Sequence, residues 1–85
     1  MNAVILHRIE PSHNLQRYYR LDVQPDLFGC WMFVREWGRI GSSGQMKKAV
    51  FNTLSEARVA LERLRQVKEK RGYVDSERLM PLSQM

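Results

Sequence analysis

One stretch of this chain repeats apolar residues with a helical period. Ala57, Ala60, Leu61, Leu64 and Val67 fall at helical spacing and form a single stripe. Just before it, Thr53-Leu54-Ser55-Glu56 has the form of a capping box, with Thr53 as cap and Glu56 three residues on. Gly72 follows a basic last turn and is a natural stop. The spacing predicts a helix near 54–71. Its stripe must be buried, and everything before it reads as strand, so it must cover one face of a sheet.

The strands are read from alternation and β-prone composition. Val4 to Ile9 is a short apolar run, broken by Glu10-Pro11-Ser12-His13-Asn14. Residues 17–24 alternate: Tyr19, Leu21 and Val23 point one way, Tyr18, Arg20 and Asp22 the other. Pro25 to Gly29 is a turn, and Cys30 to Trp37 is the most β-prone segment. Gly38, Gly41, Gly44, Ser42 and Ser43 make a loop, after which Met46 to Phe51 read as a strand that pairs back as a hairpin. The expected fold is α+β: a small antiparallel sheet of about four strands with one helix, from the C-terminal half, on one face. The face of the third strand that meets the helix stays open, because Met32 and Val34 are apolar as well as Trp31 and Phe33.

At 85 residues the chain is read as one domain, 1–85, with residues 75–85 as an irregular tail. It has no apolar run near the ~18 residues of a membrane span and no basic leader before an apolar segment, so a cytoplasmic location is expected. Cys30 has no partner for an internal disulfide and is expected to be a buried, inert thiol. His7 and His13 are not spaced with other ligands for a metal. Gly41-Ser42-Ser43-Gly44-Gln45 lacks the Lys-Ser or Lys-Thr that would end a phosphate loop, and neither serine has an evident base. The sequence points away from an enzyme, and no cofactor, metal or small-molecule substrate is expected.

The charge is unevenly placed. The net charge is +5, and residues 35–71 hold ten Lys/Arg against four Glu. A basic stretch of this kind suits nucleic acid. On the helix, Arg58, Glu62, Arg65 and Glu69 are spaced to pair with one another, Lys68 and Arg71 flank the apolar stripe, and Arg63 and Lys70 are the better outward strip. In the sheet and loop, Arg39, Lys47 and Lys48, with Arg17, Arg20 and Arg35, would build a phosphate-binding surface. Backbone N–H groups of Ser42 and Ser43 would add donors. Lys47 and Lys48 are adjacent on a strand, so at most one shares a face with Arg39.

Trp37-Gly38-Arg39 stands where the third strand meets the loop. Trp offers a face for stacking, Arg a planar fork for phosphate, and Gly a close backbone approach. Two readings fit Trp37: a third aromatic of a core row with Trp31 and Phe33, or an exposed stacking residue.

These residues resemble the WGR domain, a module of DNA-dependent poly(ADP-ribose) polymerases and of many bacterial proteins, where it sometimes stands alone. The likeness runs through Arg17-Tyr18-Tyr19-Arg20-Leu21, Trp31 to Gly41, Phe51 with Ser55-Glu56-Ala57, and Lys70-Arg71-Gly72-Tyr73, over about 14–74. It implies an antiparallel sheet with one helix, and DNA binding. In polymerase members the motif Trp stacks on the sugar at a 5′ strand end near a break. The resemblance therefore implies that Trp37 stacks and that Arg39 contacts DNA or a neighbouring domain. The polymerases carry a longer aromatic extension after the helix, from which Ser76 to Leu82 departs.

The expected function is a non-catalytic nucleic-acid-binding module, for duplex DNA at ends or nicks, using Trp37, Gly38, Arg39, Lys47, Lys48, Arg17 and Arg35. The alternative is a protein-interaction module using the same Trp and Arg as interface anchors.

Overall fold

The computed structural model describes residues 3–75. Strands β1 (Val4–Glu10), β2 (Leu15–Pro25), β3 (Trp31–Arg39) and β4 (Gln45–Phe51) precede the helix α1 (Leu54–Lys70), and β5 (Val74–Asp75) follows it. The sheet order is β4-β3-β2-β1-β5, with every pairing antiparallel. The fold is the expected α+β arrangement, with one addition. A fifth, two-residue strand pairs with β1 through Leu6–Asp75 and His7–Val74. The sheet extends past the 14–74 that carry the resemblance, because β1 pairs along its whole length with β2. Of the expected tail, Asp75 is the end of β5, and the rest lies outside the described residues.

Each turn has a local cause. Between β1 and β2 a single 3-10 turn, Pro11–His13, ends at Asn14 in the left-handed region (φ 52°), where Asn is tolerated. Between β2 and β3 the Asp26 carboxylate accepts from the N–H groups of Phe28 and Cys30, both at 2.8 Å, and closes the turn. Cys30 is half-buried at this turn rather than fully buried. The helix starts as the sequence predicts: Thr53 Oγ1 accepts from the Glu56 N–H at 3.1 Å and its hydroxyl donates to Glu56 Oε1 at 3.0 Å. It ends in a Schellman arrangement, with Gly72 N–H bonded to Glu69 O at 3.1 Å and Tyr73 N–H to Lys68 O at 3.0 Å. Gly72 takes φ 97°, a left-handed value suited to glycine, and this reversal sends Tyr73 back into the core.

Directly paired residues share a sheet face, so the register identifies the face that the helix covers. Val4, Leu6, Tyr19, Leu21, Val23, Trp31, Phe33 and Phe51 lie on it and pack with Ala57, Leu61 and Tyr73. Leu6 and Leu21 are fully buried. The third strand thus turns Trp31 and Phe33, not Met32, toward the helix. The other face has no helix on it; there Val34 is closed in among its sheet neighbours, while Ile5, Met46 and Val50 remain exposed.

Candidate functional site

The helix spans only part of its sheet face. Past its C-terminal end, the same face continues into the ends of β1, β2 and β3, and the residues there are cationic. The register sets Arg17 directly opposite Arg39 on one side and Arg8 on the other. Three arginines therefore stand side by side across three strands, a row of about 10 Å at about 4.8 Å per strand. Like charges directly opposite each other destabilise a sheet. Arg8 is relieved by Glu10, which accepts from its Nη2 at 3.1 Å and its Nε at 3.3 Å. Arg39 reaches only Asn14, at 3.4 and 3.5 Å, and Arg17 has no ion pair among the described residues. Arg17 and Arg39, which the fold leaves without an acid among the described residues, are suited to an anion from outside.

Beside the arginine row runs an aromatic one. Trp37 lies opposite Tyr19 across β2–β3, and their rings stack with centroids 5.7 Å apart at 12°. Tyr73 meets Tyr19 edge-on at 5.5 Å. Lys68, from the last turn of α1, places its ammonium 4.4 Å from the Tyr19 ring centre, and the Arg35 guanidinium lies 5.4 Å from that of Trp37. Trp37 is half-buried, whereas Tyr73 is only 8 % exposed. Trp37 stands outside the core cluster that holds Phe33, touches its edge through Tyr19, and presents surface. Burial pushes the Tyr73 hydroxyl above the ordinary tyrosine value, while nearby Arg17, Arg8 and Arg71 pull the other way.

These groups line a concave space of about 500 Å³ bounded by Arg17, Tyr19, Trp37, Arg39 and Lys68, with the glycine loop as its far wall. A second space of about 570 Å³ continues past Tyr73 and is bounded by Arg8, Glu10, His13, Arg17 and Arg71. Arg17, Lys68 and Tyr73 line both.

The loop is held close to the sheet by absent side chains. A Cβ on Gly44 would collide with the Trp37 carbonyl oxygen and lie 2.5 Å from the Tyr18 hydroxyl, and one on Gly38 would lie 2.9 Å from Gly44 Cα. Gly38 thus serves close approach within a strand rather than a sharp turn; the positive φ belongs to Gly41, at 89°. Below the loop, on the other sheet face, the Tyr18 hydroxyl donates to Glu36 at 2.8 Å. That bond raises the Tyr18 pKa.

Trp37, Arg39 and Arg17 come together at the first concave space, with Gly38 in its wall; Arg35 and Lys47 share the helix-facing side but border a separate hollow, which Lys48 reaches from the edge strand. Lys48 does not join Trp37, Arg39 and Arg17. It pairs with Val34 on the opposite face, as does Arg20 with Glu36. The Ser42 N–H is already bonded to Arg39 O at 3.2 Å, so it offers no donor to a ligand. On the helix, Arg65 pairs with Glu62 and Glu69, as its spacing predicts, and also with Asp75. Arg63 borders a different hollow, beside Phe51 and Val59. The helix cation at the site is Lys68, not Arg63 or Lys70. Arg8, Lys68 and Tyr73 are the residues that sequence reasoning missed. For Arg8 a signal was present: counting outward from the turn at 11–14 sets Arg8 against Arg17.

The fold and this surface define a binding module of one sheet and one helix, and the comparisons name its class. The WGR domain matches residues 2–79, and the chain belongs to that family. WGR domains are nucleic-acid-binding modules rather than catalytic ones. The chain is also 46% identical over 69 residues to an uncharacterized protein, y4dW, of Sinorhizobium fredii (strain NBRC 101917 / NGR234), a match covering 80% of this chain and 33% of that protein. The chain thus corresponds to about a third of that relative's length. No solved structure matches it significantly. Among the described residues no helix is long and apolar enough to cross a membrane.

Proposed function

We propose that this surface grips DNA, with Trp37 set against a sugar at a strand end or nick and Arg17 and Arg39 holding adjacent phosphates. The observation that carries this reading is the Arg17–Arg39 pair, two arginines at directly paired strand positions beside a half-exposed Trp. A phosphate between them turns a repulsive contact into two charge-assisted ones. Arg35 and Lys47 form a second basic pair farther along β3 and β4 and border a hollow of their own. Stacking on Trp37 competes with Arg35, which already covers part of the indole. The grip holds no reacting group and performs no chemistry on the strand; it positions. The family supports a nucleic-acid ligand, and Trp37-Gly38-Arg39 supports an end or a break within it.

The test is titration of nicked, blunt-ended and circular duplexes at two salt concentrations, with wild type and Trp37→Ala. Nicked and blunt-ended duplexes should bind more tightly than circles, and Trp37→Ala should abolish that preference while leaving a salt-dependent residue of binding. Equal affinity of wild type for all three forms would refute recognition of ends. Absence of binding to any duplex at low salt would refute the DNA reading.

A further inference from the structure

We infer that the phosphate track does not stop at Arg39 and Arg17 but crosses the sheet to a second subsite formed by Arg8 and Arg71, so that one strand is held by its backbone over about three nucleotides. This rests on the reading of the Trp37 surface as a DNA grip. Three observations carry it. First, the arginine row is continuous: Arg39, Arg17 and Arg8 are direct cross-strand neighbours on β3, β2 and β1. Its length of about 10 Å is enough to set arginines against two or three successive phosphates of one strand. Second, the surface along the row is open. The two concave spaces share Arg17, Lys68 and Tyr73, and the far one is bounded by Arg8 and Arg71. Third, the aromatic row does not extend with the charge. Tyr73 is 8 % exposed and offers no free ring face there, so the far subsite holds phosphate without stacking a base.

The helix end does not oppose an anion at this place. Its exposed carbonyls would repel one, but Lys68 O and Glu69 O are taken by the N–H groups of Tyr73 and Gly72. Gly72 lies beside Arg8, whose Nε would be in ordinary contact with a Cβ there, at 3.4 Å. The competitor is Glu10. Its carboxylate occupies Arg8 in the ligand-free protein and bridges to His13 Nδ1 at 3.4 Å. A phosphate entering the subsite takes the place of that carboxylate on the Arg8 fork.

The experiment uses duplexes with a 5′ end in which one linkage at a time, from the first to the fourth, is an uncharged methylphosphonate. Binding is measured for wild type, Arg8→Ala, Arg71→Ala, Glu10→Gln and Trp37→Ala. Arg8 and Arg71 side chains reach solvent, so both variants should fold, and Arg71→Ala leaves the Arg8–Glu10 pair intact as a second route to the same answer. A neutral linkage two or three positions from the end should weaken wild type about tenfold and leave Arg8→Ala almost unchanged. Each arginine variant should lower the salt slope by about 0.9, and Glu10→Gln should bind several-fold tighter. If Arg8→Ala and Arg71→Ala bind as wild type and lose affinity equally at every neutral linkage, while Trp37→Ala still fails, the track is wrong and the Trp37 grip stands. If wild type binds no duplex, both fall together.

Discussion

Arg17 stands between two other arginines, and its position shows how one residue can serve binding at the expense of the fold. On β2 it faces Arg39 and Arg8, and among the described residues no acid pairs with it. A β-prone neutral residue there should relieve both repulsions. Arg17→Thr is expected to raise stability by about 0.2–1 kcal/mol in chemical denaturation while lowering DNA affinity. A loss of more than about 1 kcal/mol would mean that Arg17 is structural. Trp37 has the opposite balance: it stacks on Tyr19, which itself packs against the core. Trp37→Ala should therefore cost stability as well as binding, and Trp37→Phe should retain more of the first than of the second. Parity predicted that Trp31, Phe33 and Trp37 share a face, and they do. It did not reveal the Arg17–Arg39 pairing, because parity gives faces and only register gives neighbours.

The loop between β3 and β4 and the helix that follows it depend on single contacts that mutation can reach. Gly44→Ala places a methyl group against the Trp37 carbonyl and the Tyr18 hydroxyl. Lifting the loop should cost about 1–3 kcal/mol and shift Trp37, seen as a changed tryptophan emission together with a lower denaturation midpoint. Thr53→Ala removes the helix cap and should cost about 1 kcal/mol with no effect on DNA binding, since it lies at the far end of α1 from Lys68. The helix was legible from its cap, stripe and glycine stop, all local signals, except that Val67, read into the buried stripe, is exposed, for the helix runs past the core before it ends. The sheet's covered face was not legible. Met32 and Val34 are as apolar as Trp31 and Phe33, and Val34 is 5 % exposed without a helix above it. The short β5 was also hidden, for its two residues have no pattern; it forms because the Schellman turn delivers Val74 and Asp75 to the edge of β1.

At the scale of the molecule, a small core and a charged groove meet at Tyr73. That residue closes the core, edges Tyr19 and lines both concave spaces. Burial raises its pKa above 10.0, and the bond to Glu36 raises that of Tyr18. The stability each contributes is fully present below the unfolded value near pH 10 and is lost as pH rises through the higher folded-state value. The denaturation midpoint should therefore fall above about pH 10, and Tyr73→Phe should flatten that fall. An equal fall in Tyr73→Phe would show that Tyr73 is not the group responsible. The distribution of cations between the two sheet faces separates a binding surface from a merely basic protein. Arg17 and Lys48 carry the same charge and lie on opposite faces. The most direct measurement is the dependence of duplex affinity on salt for wild type, Arg17→Ala and Lys48→Ala. Arg17→Ala should lower the slope by about 0.9 and Lys48→Ala should leave it unchanged; equal reductions in the two would contradict a single DNA-binding face.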